Sequence, residues 1–195
     1  MPFVLIAAGD AGSRPAVPGP AVPGPAVPGP AVPRRPDGQP LLEPGADGEW
    51  QGAVTDPAGV VDVVLALVRT SGWWVGVGAG PAAAGVRTAP VLLSARRAVD
   101  AARRRGSRVA VRGAVPADAA DAQAVLTALA VLVQRRSTPA WAAIDLVGDG
   151  CTQAQAAARL GVSRQAVGQR LAAGMWELER ELRPTAARLL ARAEG

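Results

Sequence analysis

The chain has 195 residues, with 21 basic and 16 acidic side chains and a formal net charge of +5. That length suits one ordinary domain together with a small one. Every basic residue is arginine, and histidine and lysine do not occur. Without them, and with Cys151 as its one cysteine, a single chain cannot build a zinc site of nitrogen and sulfur ligands, a histidine-assisted nucleophile or a lysine Schiff base. Any catalysis would have to use carboxylates and a metal ion. We expect a protein that is not an enzyme and holds no cofactor.

Cysteine usage and hydropathy bear on the compartment. A single cysteine forms no intrachain disulfide, which is typical of a reducing cytoplasm. No apolar run approaches the roughly 20 residues that span a bilayer, because Asp62 interrupts Val60–Val68 and Ala124–Val133 is too short. The stretch Met1–Ala8 lacks the basic residues that begin a signal peptide. We expect a cytoplasmic protein that does not enter a membrane.

The first forty residues predict a strand and then an extended segment. Phe3–Ala8 is an apolar run of strand length, and Gly9–Arg14 predicts a tight turn. From Ala16 the pentapeptide Ala-Val-Pro-Gly-Pro occurs three times, with a partial fourth copy that ends at Pro33. Proline at two positions in five removes amide donors and fixes φ, which excludes helix and sheet. Residues 15–40 are therefore predicted to form an exposed, semi-rigid linker.

Between residues 41 and 115 strands alternate with helices. Asp56 and Pro57 form a helix start, with aspartate as the N-cap and proline at the first position. The predicted elements are a strand at Trp50–Thr55, a helix from Asp56 to about Arg69, a strand at Trp73–Val77 with a glycine-rich turn after it, a helix at Val91–Arg105 and a strand at Arg108–Arg112. This alternation predicts α/β layers.

After Pro116 the chain is predicted to be helical to its end. The predicted helices are Ala119–Arg136, a helix capped by Thr138 and closed by Gly148 and Gly150, a pair within residues 152–171, and a short terminal helix from Pro184 to about Arg192. The second helix of the pair is expected to continue through a ridge of Leu171, Met175, Leu178 and Leu182. That ridge predicts packing against the Thr138 helix or, alternatively, a dimer seam.

Residues 152–171 have the pattern of a helix-turn-helix. Thr152 and Ser163 stand where the two helices need N-cap acceptors, and Gly161 supplies the turn between them. Small residues let the two helices approach, and apolar residues fill their seam. The residues in these two roles are Ala156 and Ala157, and Leu160, Val162, Val167 and Leu171.

The second helix of this pair carries side chains that suit DNA. Arginine and glutamine hydrogen-bond to guanine and adenine edges, and a glycine lets a helix approach the floor of the major groove. The predicted contacts are to bases from Arg164, Gln165 and Gln169 beside Gly168, and to phosphates from Arg159, Ser163 and Arg170. We predict double-stranded DNA as the partner, and a homodimer because one helix buries little surface. The alternative is a hairpin used for packing or for a protein partner.

Three motifs in the N-terminal half resemble the SatD family of small bacterial proteins. Gly9–Arg14 matches a Gly-Asp-x-x-Gly-Ser-Arg turn that ends the first strand. Asp47–Gly52 and Gly76–Gly80 stand where the family has Gly-Asp-Glu-Phe-Gln-Gly and Gly-Ile-Gly-x-Gly elements. Some branches of the family end in a helix-turn-helix, and the C-terminal half here is similar to those of sigma-factor region 4 and response regulators.

The same elements are similar, more distantly, to nucleotide cyclase-like domains, in which two acids hold metal ions for a nucleotide triphosphate. This resemblance implies a metal-dependent cyclase or phosphotransferase that uses Asp10 with Asp47 or Glu49. Three departures argue against that activity. Gly48 stands where the family has aspartate, Trp74 stands where arginine is common, and the proline repeat takes the place of a covering helix. We expect Asp10 to be a turn residue and Glu49 a solvated hairpin residue.

Two further features have a structural and a functional interpretation. The basic stretch from Arg96 to Arg112 either contacts DNA phosphates or is a solvated helix face. The glycines at 76–80 resemble a phosphate-cradling loop, although no helix N-terminus follows them directly and the chain has no lysine.

We therefore predict an α+β protein in two parts. A small α/β N-terminal domain, ferredoxin-like and degenerate nucleotide cyclase-like, comprises residues 1–14 and 41–115 and carries a proline-rich insert at 15–40. An all-α helix-turn-helix domain follows at 118–195. The predicted function is transcriptional regulation through DNA binding. The alternatives are the metal-dependent nucleotide-binding enzyme and a protein–protein adaptor whose helical hairpin docks a partner such as RNA polymerase.

Overall fold

The computed structural model describes residues 3–9, 41–45, 49–70, 72–81 and 89–195. Within them the chain forms a five-stranded mixed sheet and seven helices, which confirms the α+β class at the coarse level. The strands are β1 (Phe3–Gly9), β2 (Glu43–Pro44), β3 (Trp50–Val54), β4 (Trp73–Gly78) and β5 (Val109–Arg112). The helices are α1 (Pro57–Arg69), α2 (Ala89–Arg105), α3 (Pro116–Gln134), α4 (Thr138–Gly148), α5 (Gln153–Leu160), α6 (Arg164–Ala173) and α7 (Trp176–Ala193). The predicted linker at 15–40 lies outside the described residues.

The N-terminal strand lies at the centre of the sheet, whose strand order is β2-β3-β1-β4-β5. β1 pairs antiparallel with β3 and with β4, β2 pairs antiparallel with β3, and β4 and β5 are parallel. Phe3 and Leu5 face one layer of helices, and Val4 and Ile6 face the other. The continuous apolar run of β1 follows from this position, because a strand covered on both faces has no solvent side.

Helices flank the sheet in two unequal layers. α2 covers one face, where Val91, Ala95 and Val99 pack on Val4 and Ile6. The layer of α1, α3 and α7 covers the other face and encloses the largest core. β3 and β4 both run antiparallel to β1, so β3, α1 and β4 form a strand–helix–strand unit split around β1. The parallel strands β4 and β5 are joined through α2 on the opposite face.

Gly76 and Gly78 lie inside β4, and not in a turn after it as predicted. A Cβ on Gly76 would lie within 3.0 Å of the Ala95 carbonyl oxygen and of the Val99 backbone. A Cβ on Gly78 would lie 2.8 Å from the Ala95 amide nitrogen. These glycines therefore let the backbone of α2 pack directly on β4. Because α2 covers them, they are not a phosphate-cradling loop.

The largest core joins the sheet to helices on both sides of the division predicted at residue 118. Leu126 and Leu129 of α3 and Leu190 of α7 are fully buried in the same cluster as the sheet residues. A second, smaller cluster belongs to α4, α5 and α6. We call the sheet with α1, α2, α3 and α7 the α/β body, and α4 to α6 the three-helix unit.

α3 and α4 both begin earlier than predicted. α3 starts at Pro116, and among the described residues it is the one helix whose length and composition would allow a membrane crossing, with a mean hydropathy of 1.3. In this fold its apolar face packs on the sheet and on α7. Ser137 caps α4, since its Oγ accepts a hydrogen bond from the Ala140 amide at 3.4 Å. The predicted cap at Thr138 was one residue late.

The predicted ridge from α6 onward is broken at Gly174 and Met175, which separate α6 from α7. Met175 has a left-handed φ of 49° and is exposed. The four residues of the ridge therefore lie neither on one helix nor on one buried face. A Cβ on Gly174 would lie 2.7 Å from Ile144 Cδ1 and 3.3 Å from Ala140 Cβ, so α4 packs closely against the chain where α6 ends. The prediction of one continuous helix was therefore wrong.

Pro184 lies inside α7 and does not begin a separate helix, contrary to prediction. Near its two ends, the helix is held by an ion pair to the residues just after α3 and by another to α3 itself. Glu179 pairs with Arg136 at 2.5 Å, and Arg192 pairs with Asp118 at 2.5 Å. These contacts and the buried face of α7 keep the helix continuous through Pro184, although proline has no amide hydrogen to donate to the preceding turn.

Candidate nucleic-acid interface

α5 and α6 are bounded by local hydrogen bonds at the predicted residues. The Oγ1 of Thr152 accepts from the Gln155 amide at 3.2 Å, and Gln155 Oε1 accepts from the Thr152 amide at 2.8 Å, which forms a reciprocal capping box. Gly161 ends α5 with a left-handed φ of 63°. Ser163 Oγ then accepts from the Ala166 amide at 3.1 Å and caps α6. The predicted caps and turn are confirmed.

Small residues make the contact between α5 and α6, as predicted. The buried residues of the seam are Ala156, Ala157, Val167 and Leu171, and the half-buried ones at its margin are Leu160 and Val162. α4 closes this core with Ala143 and Ile144. One side of α6 is thereby used for packing, and the other side faces solvent.

The seven residues predicted to contact DNA are all accessible. Arg159, Ser163, Arg164, Gln165 and Gln169 are exposed, and Gly168 and Arg170 are half-buried. Arg164, Gln165, Gly168 and Gln169 are spaced i, i+1, i+4 and i+5, which places them on one face of α6. Apart from the Ser163 cap, no hydrogen bond or ion pair within the described part of the chain engages these side chains. They are free to bind a partner.

The charged side chains of α5, of α6 and of the turn between them have one sign. Residues 151–174 contain three arginines and no acidic residue. Their guanidinium groups, on Arg159, Arg164 and Arg170, have no carboxylate partner among the described residues. A surface of unpaired cations of this kind attracts phosphate oxygens.

Gly168 lies within α6, where the packing of the chain does not require glycine. A Cβ at this position would meet only Gln153 Oε1, at 3.8 Å, which is an ordinary contact. Glycine inside a helix costs about 0.5–1 kcal/mol relative to alanine. The described residues therefore give no structural reason for glycine here, whereas close approach of another molecule to this face would give one.

A network of charged side chains fastens the three-helix unit to the α/β body, and the sequence analysis missed it. At its centre Arg136 and Glu179 form a buried ion pair, and Arg136 Nε donates to the Gly174 carbonyl at 2.8 Å. Glu179 also accepts from Arg183 Nε at 2.7 Å, and Arg183 pairs with Asp62 of α1. The i, i+4 spacing of Glu179 and Arg183 was the available signal in the sequence.

Trp141 of α4 extends this network. The Arg69 guanidinium lies 3.8 Å from its ring centroid and donates two hydrogen bonds of 2.7 Å to Asp145. Arg136 lies 4.8 Å from the same centroid.

A cavity of about 790 Å³ lies between α1, α4 and α7 beside Trp141 and Trp176. The arginines that line it are already paired with carboxylates, which distinguishes them from those of α5 and α6.

The basic stretch of α2 lies apart from α6. α2 covers the sheet face opposite α7, and its arginines at 96, 97 and 103–105 are exposed. Arg103 donates to the Gly9 carbonyl at 3.3 Å, and the Arg108 guanidinium lies 4.4 Å from the Trp74 ring centroid. We do not include this stretch in the candidate interface.

The acids of the alternative metal–nucleotide site fall largely outside the described residues. Asp10 and Asp47 lie outside them, and Glu49 is half-buried beside the start of β3. In the ranges that the structure describes, no group of three or more His, Cys, Asp or Glu side chains is placed to hold a metal ion.

No protein-family model, curated protein or solved structure matches this chain. Membership of the SatD family, and kinship of the three-helix unit with sigma-factor region 4, therefore stay hypotheses drawn from short motifs. The geometry and charge of α5 and α6 carry the functional argument.

Proposed function

We propose that this chain is a cytoplasmic DNA-binding protein that regulates transcription and has no enzymatic activity. In this proposal α5 and α6 act as a helix-turn-helix, and α6 enters the major groove. A helix of ten residues is about 15 Å long, which allows its first two turns to face base edges in a groove about 12 Å wide.

The accessible side chains divide into two roles. Arg164, Gln165 and Gln169 read base edges, because their planar groups can each make two hydrogen bonds to guanine or adenine. Phosphates are bound by Arg159, Arg170 and the Ser163 hydroxyl. The cap hydrogen bond uses Ser163 Oγ as an acceptor, so its hydrogen remains available for donation.

The observation that carries the proposal is Gly168. It lies between the base-reading positions, and the fold leaves room for a side chain there. A groove floor pressed against α6 would fill that room. Glycine therefore lowers helix stability by about 0.5–1 kcal/mol and, in this proposal, lets α6 approach DNA closely.

The N-terminal part is a candidate for sensing or assembly. The strand–helix–strand unit split around β1 supports descent from a ferredoxin-like, cyclase-like domain. The parallel β4–β5 pair and the position of α2 on the opposite face depart from that pattern. The departures at Gly48 and Trp74 favour a domain without cyclase activity.

Selection of bound genomic DNA fragments by the purified protein tests the proposal. We expect one enriched motif at about 150 mM salt, where the sequence-independent phosphate contribution is reduced. Arg164→Ala should cost about 1–3 kcal/mol of binding and relax specificity at one base pair. Arg104→Ala removes another exposed arginine, from α2, and should leave the motif unchanged.

Two other outcomes would change the assignment. Equal weakening of all sequences by Arg164→Ala would make Arg164 a phosphate contact. No enrichment by the unmodified chain would reject sequence-directed DNA binding and favour a protein-docking role for the hairpin.

A further inference from the structure

α7 has one face that the α/β body uses and a second stripe beside it that the body leaves partly uncovered. Residues of the first face are fully or almost fully buried: Glu179, Ala186, Leu190 and Ala193. Residues of the second stripe are Leu178, Leu182, Thr185 and Leu189, at spacings of four, three and four. Leu178 is 43% exposed, and the other three are half-buried. This spacing has the 3.5-residue repeat of a helix that packs along another helix.

Two opposite charges border this stripe. Glu181 and Arg188 are exposed and lie seven residues apart, each directly before a leucine of the stripe. Within the described residues Glu181 has no ion-pair partner, and Arg188 donates to the Thr185 hydroxyl at 2.8 Å but to no carboxylate. Both lie in the interior of α7, between its first and last turns, so the helix dipole does not account for their signs.

We propose that this stripe, the α7 seam, binds a second copy of the chain with the two α7 helices antiparallel. In that register Leu178 lies opposite Leu189 of the second copy, and Leu182 lies opposite Thr185 of the second copy. Glu181 then meets Arg188 of the second copy. A two-fold axis repeats every contact, as a symmetric dimer requires.

The antiparallel direction follows from the charges and the burial. Leu182 and Leu189 occupy the a positions of a heptad, so Glu181 and Arg188 occupy the g positions directly before them. In antiparallel coiled coils the g residues of one helix pair with the g residues of the other, which joins Glu181 to Arg188 of the second copy. In a parallel pair these residues would instead face the positions five residues later, which are Ala186 and Ala193. Those two side chains are buried in the α/β body and cannot reach a partner.

This dimer deepens the proposed function, because it would place two copies of α6 in one particle and direct them to paired half-sites about 34 Å or a multiple apart. Dimerisation itself is measured without DNA, so its failure and the failure of DNA binding are separate results. A monomer that still enriches a motif would leave the DNA proposal intact.

Sedimentation equilibrium of the full chain over a concentration series is the test. The unmodified chain should be dimeric, and Leu178→Asp should raise the dissociation constant about a hundredfold or more, because two buried leucines are lost per dimer. Leu93→Asp is the matched control, since Leu93 of α2 is 48% exposed and lies away from the seam. It should leave the constant unchanged.

Charge exchange tests the register. Glu181→Arg should weaken the dimer about tenfold by opposing Arg188, and Glu181→Arg with Arg188→Glu should restore it. Circular dichroism of each variant checks that the monomer is folded. A chain that stays monomeric up to about 100 µM would overturn the dimer. A dimer whose dissociation constant is unchanged by Leu178→Asp would overturn the seam. No recovery of affinity in the double variant would overturn its register.

Discussion

The α/β body and the three-helix unit use the same residue types for different purposes. In the body, the backbone of α2 requires Gly76, and Arg136 is paired with buried Glu179. In the three-helix unit, Gly168 has room for a side chain, and Arg164 has no partner among the described residues. The fold explains the first glycine and arginine and leaves the second pair unexplained. Residues that the fold does not explain are the ones to test for function.

The largest effect is expected at the buried ion pair of Arg136 and Glu179 in the α/β body. Glu179→Ala leaves the Arg136 guanidinium buried without its carboxylate, so the free energy of unfolding should fall by about 3–5 kcal/mol. Urea denaturation measures this loss. Replacing both partners, as Arg136→Met with Glu179→Leu, should recover most of it because no charge is then buried.

The matched control for that loss is the exposed pair of Glu177 and Arg180 on the same helix, whose oxygen and nitrogen lie 2.9 Å apart. Glu177→Ala should change the unfolding free energy by about 0.5 kcal/mol or less, since solvent screens this pair. Equal losses in Glu177→Ala and Glu179→Ala would contradict the role assigned to burial.

The next largest effect is expected where the body requires glycine. Gly76→Ala places a Cβ against the backbone of α2 and should cost about 3 kcal/mol through overpacking. For a chain of this size that cost lowers Tm by about 6–12 °C, measured by thermal unfolding. An unchanged Tm would mean that α2 can move away from β4, and that Gly76 is no packing requirement.

Local signals made several elements predictable. Asp56 accepts from the Gly59 amide at 3.0 Å, so α1 begins where the aspartate–proline pair predicted. Both ends of α5 and the start of α6 were predicted for the same reason, since Thr152, Gly161 and Ser163 act within a few residues of themselves. The central strand β1 was recognisable from its continuous apolar run.

Distant contacts made the other elements unpredictable. Gly76 was assigned to a turn because the need for glycine arises from α2, some twenty residues later in the chain. Ile144 of α4 packs against Gly174, thirty residues later in the chain, where α6 ends. Pro184 stays helical because ion pairs to Arg136 and Asp118 hold α7 near both ends. The seven candidate interface residues could be chosen from the sequence because a helix-turn-helix pattern is local. The network around Trp141 could not, because it joins four separate segments.

A smaller effect is expected at the cap of α5. Thr152→Ala removes the acceptor for the Gln155 amide and should cost about 1 kcal/mol. Because the three-helix unit has its own small core, we expect amide hydrogen exchange to quicken in α5 and α6 while α3 keeps its protection. Thr152→Ser retains the hydroxyl and should behave like the unmodified chain. Equal acceleration in α3 would show that the two regions open together.

The smallest change in stability is expected at Gly168, and it is the one that sharpens the comparison most. Gly168→Ala adds a methyl group whose only close neighbour is Gln153 Oε1, at an ordinary 3.8 Å, so the chain should become more stable by about 0.5–1 kcal/mol. The same methyl group lies between the side chains proposed to read bases and should weaken binding to the selected DNA motif. Stability and affinity therefore move in opposite directions, which a general loss of folding cannot produce. Thermal unfolding and a DNA titration on one sample measure both, and a stabilised variant with unchanged affinity would remove Gly168 from the interface.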